Sequence, residues 1–178
     1  MIACCGASRQ MAIWDAFRAV SRGAIDAALC RGRESKFNPM SLVRQDLMGR
    51  LTTASNDHPS SACRPFDKDR AGTVAAEGGG IVVLEALEHA RSRGGRVYAE
   101  VIGFGAACNA NSWSKPHPQG RVFAVAVNKA LADAGVSADD IDLVVAAGFG
   151  LVDHDASEAR GLKTALGERG ETVPVMAI

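Results

Sequence analysis

Residues 64–105 read RPFDKDRAGTVAAEGGGIVVLEALEHARSRGGRVYAEVIGFG. Arg64, Asp67, Asp69 and Arg70 set alternating charges around Pro65 and Phe66, a pattern that predicts a structural ion-pair cluster. The glycines at 78, 79 and 80 lead into Ile81-Val82-Val83-Leu84, an apolar run of strand length. A helix over 85–93 follows, closed by Gly94-Gly95. Because the glycine run precedes a strand and not a helix, it does not read as a phosphate loop. Residues 97–104 are rich in β-branched and aromatic side chains and predict a further strand.

Outward from this stretch the alternation continues. Upstream, residues 10–22 carry a broad apolar face from Met11, Ile13, Trp14, Phe17 and Val20, a helix stopped at Gly23. Residues 24–30 are short and apolar enough for a buried strand. Asn38-Pro39 opens a short helix over 40–48, and residues 51–64 have loop composition. Downstream, residues 122–134 repeat apolar positions at helical spacing and stop at Gly135. Ser137 to Asp140 predicts a capped turn, 141–146 a buried strand, 157–166 part of a helix and 173–178 the start of a last strand. Helices alternating with apolar strands predict parallel sheet covered on its faces, an α/β fold. Both ends of the chain read as interior cuts of a larger fold.

Composition narrows the function. Lys+Arg and Asp+Glu each number 20, with no basic stripe for nucleic acid. No window reaches the apolar length of a membrane span, and the first residues lack the pattern of a signal peptide. Five scattered cysteines in 178 residues predict reduced thiols in a cytoplasm; their spacing does not suggest a disulfide framework or a metal site.

The motif at 64–105 resembles the central stretch of the β-ketoacyl-acyl-carrier-protein synthases of fatty-acid and polyketide synthesis. Pro116-His117-Pro118 with Gly120, Asp133-Ala134-Gly135, Asp140-Ile141-Asp142 and the AFRAV helix at 16–20 are similar too. The resemblance implies a thiolase-like αβαβα layered sandwich, incomplete at both ends. Residues 1–95 would be the remainder of the N-terminal half and 96–178 the first part of the C-terminal half. It also implies an acyl carrier protein as partner, a phosphopantetheine arm carrying the substrate, and no further cofactor.

In that family a Cys at a strand-to-helix turn takes the acyl group, where helix N–H groups lower the thiol pKa and support an oxyanion. Two His residues then stabilise the enolate left by decarboxylation. Aligned without gaps from residues 16–20, Gly6 stands at the nucleophile position, with Cys5 one residue upstream. Such a shift turns a helical side chain by about 100°. Cys4 and Cys5 otherwise read as small buried residues at a strand end. Ala147 stands where the family has its first catalytic His, and after Gly148 the run Phe149-Gly150-Leu151 takes the place of the family's hydroxyl-bearing Thr-Ser-Thr. His154 reads as a surface loop residue. Asp155 and Glu158 fall where the family buttresses its active-site loop, although helix N-terminal carboxylates would look the same. Ser114 lies where relatives contact the pantetheine arm.

Three functions fit. The first is a non-catalytic, chain-length-factor-like homologue acting beside an intact ketosynthase. The second is an acyltransferase using Cys5 or parts supplied by a partner chain, and the third a decayed or truncated fragment without activity. Uncovered strand edges predict a homodimer or a heterodimer with an intact synthase, not a monomer.

Overall fold

The computed structural model describes residues 7–35, 37–53, 55–110, 112 and 114–177. Cys4, Cys5 and Gly6 lie outside the described residues, so the elbow position receives no structural account. The chain forms two compact units that interleave in sequence. One takes the described residues up to Phe37 with Ala76–Val101; the other takes Asn38–Ala75 and the described residues from Ile102 on.

In the first unit, α1 (Ser8–Ser21) is followed by β1 (Ala27–Glu34), then β2 (Gly78–Glu85) and α3 (Leu87–Ser92). β1 and β2 pair antiparallel, from Ala27 opposite Glu85 to Glu34 opposite Gly78. This corrects the parallel expectation for this pair. Helix–strand alternation sets the composition of a layer, but strand direction depends on where the intervening chain returns. β1 also starts later and runs further than the apolar pattern suggested. Its charged end, Arg31 to Glu34, pairs with Ile81 and the glycine run, which is therefore part of a strand. A Cβ on Gly79 would meet the Cβ of Arg33 at 3.1 Å, so the missing side chain makes room for a charged neighbour. α1 lies against the ladder, with the Arg9 side chain across Gly32 and paired to Glu34 at 3.1 Å.

The expected strand at 97–104 is absent from any ladder. Residue type favours a strand, but only a hydrogen-bonded neighbour makes one, and this segment has none among the described residues.

The second unit contains α2 (Pro39–Leu47), α4 (Arg121–Ala134), β3 (Val144–Ala146), α5 (Val152–Leu166), α6 (Arg169–Thr172) and β4 (Val175–Ala177). The Asn38 side chain caps α2 by accepting from the Ser41 N–H at 2.9 Å, with Pro39 in the first turn, as the sequence predicts. Ser137 and Asp140 form the expected capping box. β3 and β4 pair parallel, joined through α5 and α6, so here the covered parallel arrangement is realised. β3 is shorter than predicted, because the Ile141 carbonyl is taken by the Arg169 guanidinium.

α4 and α5 approach closely because both carry glycine at the crossing. A Cβ on Gly161 would lie 2.5 Å from both the Gly120 carbonyl oxygen and the Phe123 Cβ. Gly120 itself has φ +66, a left-handed conformation that costs a larger residue strain. Ala124, Ala146, Leu166 and Val173 are among the buried apolar residues of this unit.

Candidate active site

The chain leaves β3 at Ala146, passes through residues 147–151 and enters α5 at Val152, five residues earlier than its apolar pattern indicates. Two glycines shape the loop. Gly148 (φ +51) leaves no room for a side chain, because a Cβ would sit 2.5 Å from that of Ala177. Gly150 (φ +71) accepts from the Gly72 N–H at 2.9 Å, and a Cβ on it would sit 2.6 Å from the Gly72 carbonyl oxygen.

Asp155 and Glu158 are three residues apart and share one face of α5. They are 1% and 5% exposed, and all four of their oxygens accept from backbone. Glu158 takes the Ala147 N–H at 2.7 Å and the Gly148 N–H at 3.1 Å. Asp155 takes the N–H groups of Phe149 and Phe66, both at 2.9 Å. Such charge-assisted bonds are how a buried carboxylate is made tolerable. A macrodipole role alone would not require these partners.

Phe66 is held in the left-handed region at φ 63, the only such non-glycine among the described residues. That conformation costs about 1–2 kcal/mol, and the Asp155 hydrogen bond offsets it. Arg70 lies beside the same carboxylate, with Nε 3.6 Å from Oδ2, and donates to the carbonyls of Asp67 at 2.7 Å and Val152 at 2.8 Å. The mutual ion-pair cluster expected at 64–70 is therefore corrected. Asp67 instead accepts from the Asp69 N–H at 2.7 Å in a local turn, and Arg64 donates to the Ser55 hydroxyl at 3.3 Å. Sequence reasoning missed Phe66, Arg70 and Gly72 as supports of the loop. The RPFD-R pattern carried the signal, since a Phe flanked by turn-forming residues marks an unusual backbone.

The loop's own side chains are a methyl at Ala147 and a phenyl at Phe149, both exposed, and the part-buried isobutyl of Leu151. His154 is not a surface loop residue but sits in the first turn of α5. It is half-buried, with its ring edge-on to Phe149 at 5.7 Å. Burial, then the charge of Arg50, pushes its pKa below the usual imidazole value. Between β3 and α5 there is no thiol, hydroxyl or imidazole, and the N–H groups of 147, 148 and 149 are already engaged. The side chains between β3 and α5 offer a developing enolate or oxyanion neither a cation nor a hydrogen-bond donor.

Ser114 is partly buried in a separate turn. Its N–H donates to the Ser112 hydroxyl at 3.2 Å, and the two hydroxyls lie 3.4 Å apart. Asn109 ties that turn together through the carbonyls of Ser112 and Lys115. No hydrogen bond or ion pair among the described residues joins Ser114 to the Ala147 loop. Of the described cysteines, Cys30 is buried, and burial raises its thiol pKa; Cys63 and Cys108 are exposed.

Residues 2–90 match the family model of the β-ketoacyl synthase N-terminal domain, and residues 98–178 that of the C-terminal domain. The chain belongs to the β-ketoacyl synthase family. Within that family it is 40% identical over 158 residues to the 3-oxoacyl-acyl-carrier-protein synthase 2 of Vibrio cholerae, which covers 89% of this chain and 38% of that one. One chain of the complex of a type II polyketide acyl-carrier protein with its hexaketide-bound ketosynthase superposes with TM-score 0.94 at 30% identity, over 97% of this chain and 42% of that one. The ishigamide ketosynthase/chain length factor structure gives TM-score 0.81 at 32% identity, over 94% and 39%. The fold is thus the thiolase-like fold of the ketosynthases. The chain spans about two fifths of the length of these relatives. No helix among the described residues is long and apolar enough to cross a membrane.

Proposed function

We propose that this chain serves fatty-acid or polyketide synthesis as a ketosynthase homologue without condensing chemistry of its own, in the manner of a chain length factor beside an intact ketosynthase. The observation that carries this reading is the contrast inside one loop. Asp155 and Glu158 hold it through four backbone hydrogen bonds, while its side chains, Ala147, Phe149 and Leu151, are all hydrocarbon. A methyl group neither donates a hydrogen bond nor carries charge, and loss of such electrostatic stabilisation typically costs about 10²–10³ in rate. Likeness to a ketosynthase/chain length factor structure supports a paired role. On this reading residues 1–95 and 96–178 belong to the two halves of the thiolase-like fold, as the separate family matches support. Substrate would arrive as an acyl chain on the phosphopantetheine arm of an acyl carrier protein, with Ser114 near its path.

The test is co-expression with an intact ketosynthase and its carrier protein. A stoichiometric complex whose product length differs from that of the ketosynthase alone supports the proposal. A chain that does not associate, or associates without altering products, contradicts it.

A further inference from the structure

A groove of about 620 Å³ runs between α4 and α5 in the second unit, away from the residues that hold the Ala147 loop. Ligand sites of small molecules fall in the range of roughly 300–1,000 Å³. Its charge is one-sided. Arg121, Arg160 and Lys163 line it and no carboxylate does, in a chain whose acidic and basic residues balance at 20 each.

The polar atoms point to one ligand chemistry. Arg121 has no hydrogen-bond or ion-pair partner among the described residues, so its whole guanidinium fork is available. Arg160 is anchored through a single nitrogen, Nη1, to the Pro118 carbonyl at 2.7 Å, which fixes the side chain and leaves its other N–H groups uncommitted. His117 Nδ1 accepts from the Gln119 N–H at 3.2 Å, so the ring proton resides on Nε2 as a further donor. Lys163 is shared with Glu171 at 2.8 Å and contributes less. The side-chain amides of Gln119 and Asn128 and the Thr164 hydroxyl complete the polar lining, and Ala124 and Val125 supply an apolar wall. Forked, permanently charged donors match an oxyanion bearing several acceptor oxygens.

We propose that the α4–α5 groove is an oxyanion site that takes a phosphate-bearing small molecule. It is independent of the reading of the Ala147 loop and would stand if that loop proved catalytic. The experiment is calorimetric titration of the full chain with inorganic pyrophosphate, against sodium chloride at matched ionic strength. The expected result is saturable binding of one pyrophosphate that chloride does not reproduce. Arg121→Ala, which removes no hydrogen bond or ion pair among the described residues, should weaken it at least tenfold. Asn128→Asp, which places a carboxylate in the groove, should weaken it as much, and Arg31→Ala on β1 should leave it unchanged. Should Arg121→Ala lose its cooperative melt, Asn128→Asp decides alone. Absence of saturable heat, equal heat from chloride, or binding retained in the groove variants overturns the proposal.

Discussion

Around α5 two carboxylates are buried and each of their four oxygens accepts from a backbone N–H, whereas along β1 and β2 Leu29, Ile81 and Val83 stand 75%, 62% and 59% exposed. One region places charge inside and satisfies it completely. The other leaves hydrocarbon facing outward on a two-stranded ladder, a form that is marginal in water by itself. One region supplies its own hydrogen-bonding order, and the other leaves apolar surface uncovered. Contiguous exposed apolar surface of this kind marks interaction sites or association.

The comparison is broken most severely by removing a buttress. Glu158→Ala would leave the N–H groups of Ala147 and Gly148 unpaired, and Asp155→Ala those of Phe149 and Phe66. At about 1–3 kcal/mol for each stranded group, either change should cost about 2–6 kcal/mol in urea unfolding. A cost under about 0.5 kcal/mol would show that the loop does not depend on these carboxylates. A smaller loss is expected at the helix crossing. Gly161→Ala forces a Cβ to 2.5 Å from the Gly120 carbonyl oxygen, an overpacking worth about 1–3 kcal/mol by the same measurement.

Along the ladder the prediction reverses. Leu29→Lys with Ile81→Lys should leave monomer stability within about 0.5 kcal/mol per site, as for exposed positions. Self-association or partner binding, followed by sedimentation, should fall clearly. Unchanged association would show that the apolar face is not the contact surface.

The smallest effect is a pH dependence beside the same ladder. The hydrogen bond from Arg93, helped by His89, lowers the Glu85 pKa to about 2. A depressed carboxylate stabilises the fold above its unfolded value and loses that contribution as pH falls through the folded one. The Tm difference between wild type and Glu85→Gln should therefore shrink from roughly pH 4.3 down to about 2. A difference constant across that window would contradict the pairing.

Much of this was legible in residue order. Asn38-Pro39, Gly135 and the Ser137–Asp140 box placed their helix limits and turn because capping is local chemistry within four residues. The motif from Arg64 to Gly105 carried the family. What escaped the sequence is non-local. The Phe66 N–H meets Asp155 across 89 positions, and no periodicity reports such a bond. The same holds for β1 and β2, whose direction depends on the path between them, and for residues 97–104, whose strand propensity found no partner. At the candidate site, Asp155 and Glu158 were read from position, and their bonding became clear only in the fold. Cys5 lies outside the described residues and stays an expectation.

The central claim is that a well-buttressed loop here carries no condensing chemistry, and acyl loading tests it most directly. The purified chain is incubated with a radiolabelled acyl-carrier thioester and analysed by denaturing gel, beside Cys5→Ala. The account predicts no label on either protein. Stable label on the wild type that disappears in Cys5→Ala would contradict it and make Cys5 a working nucleophile.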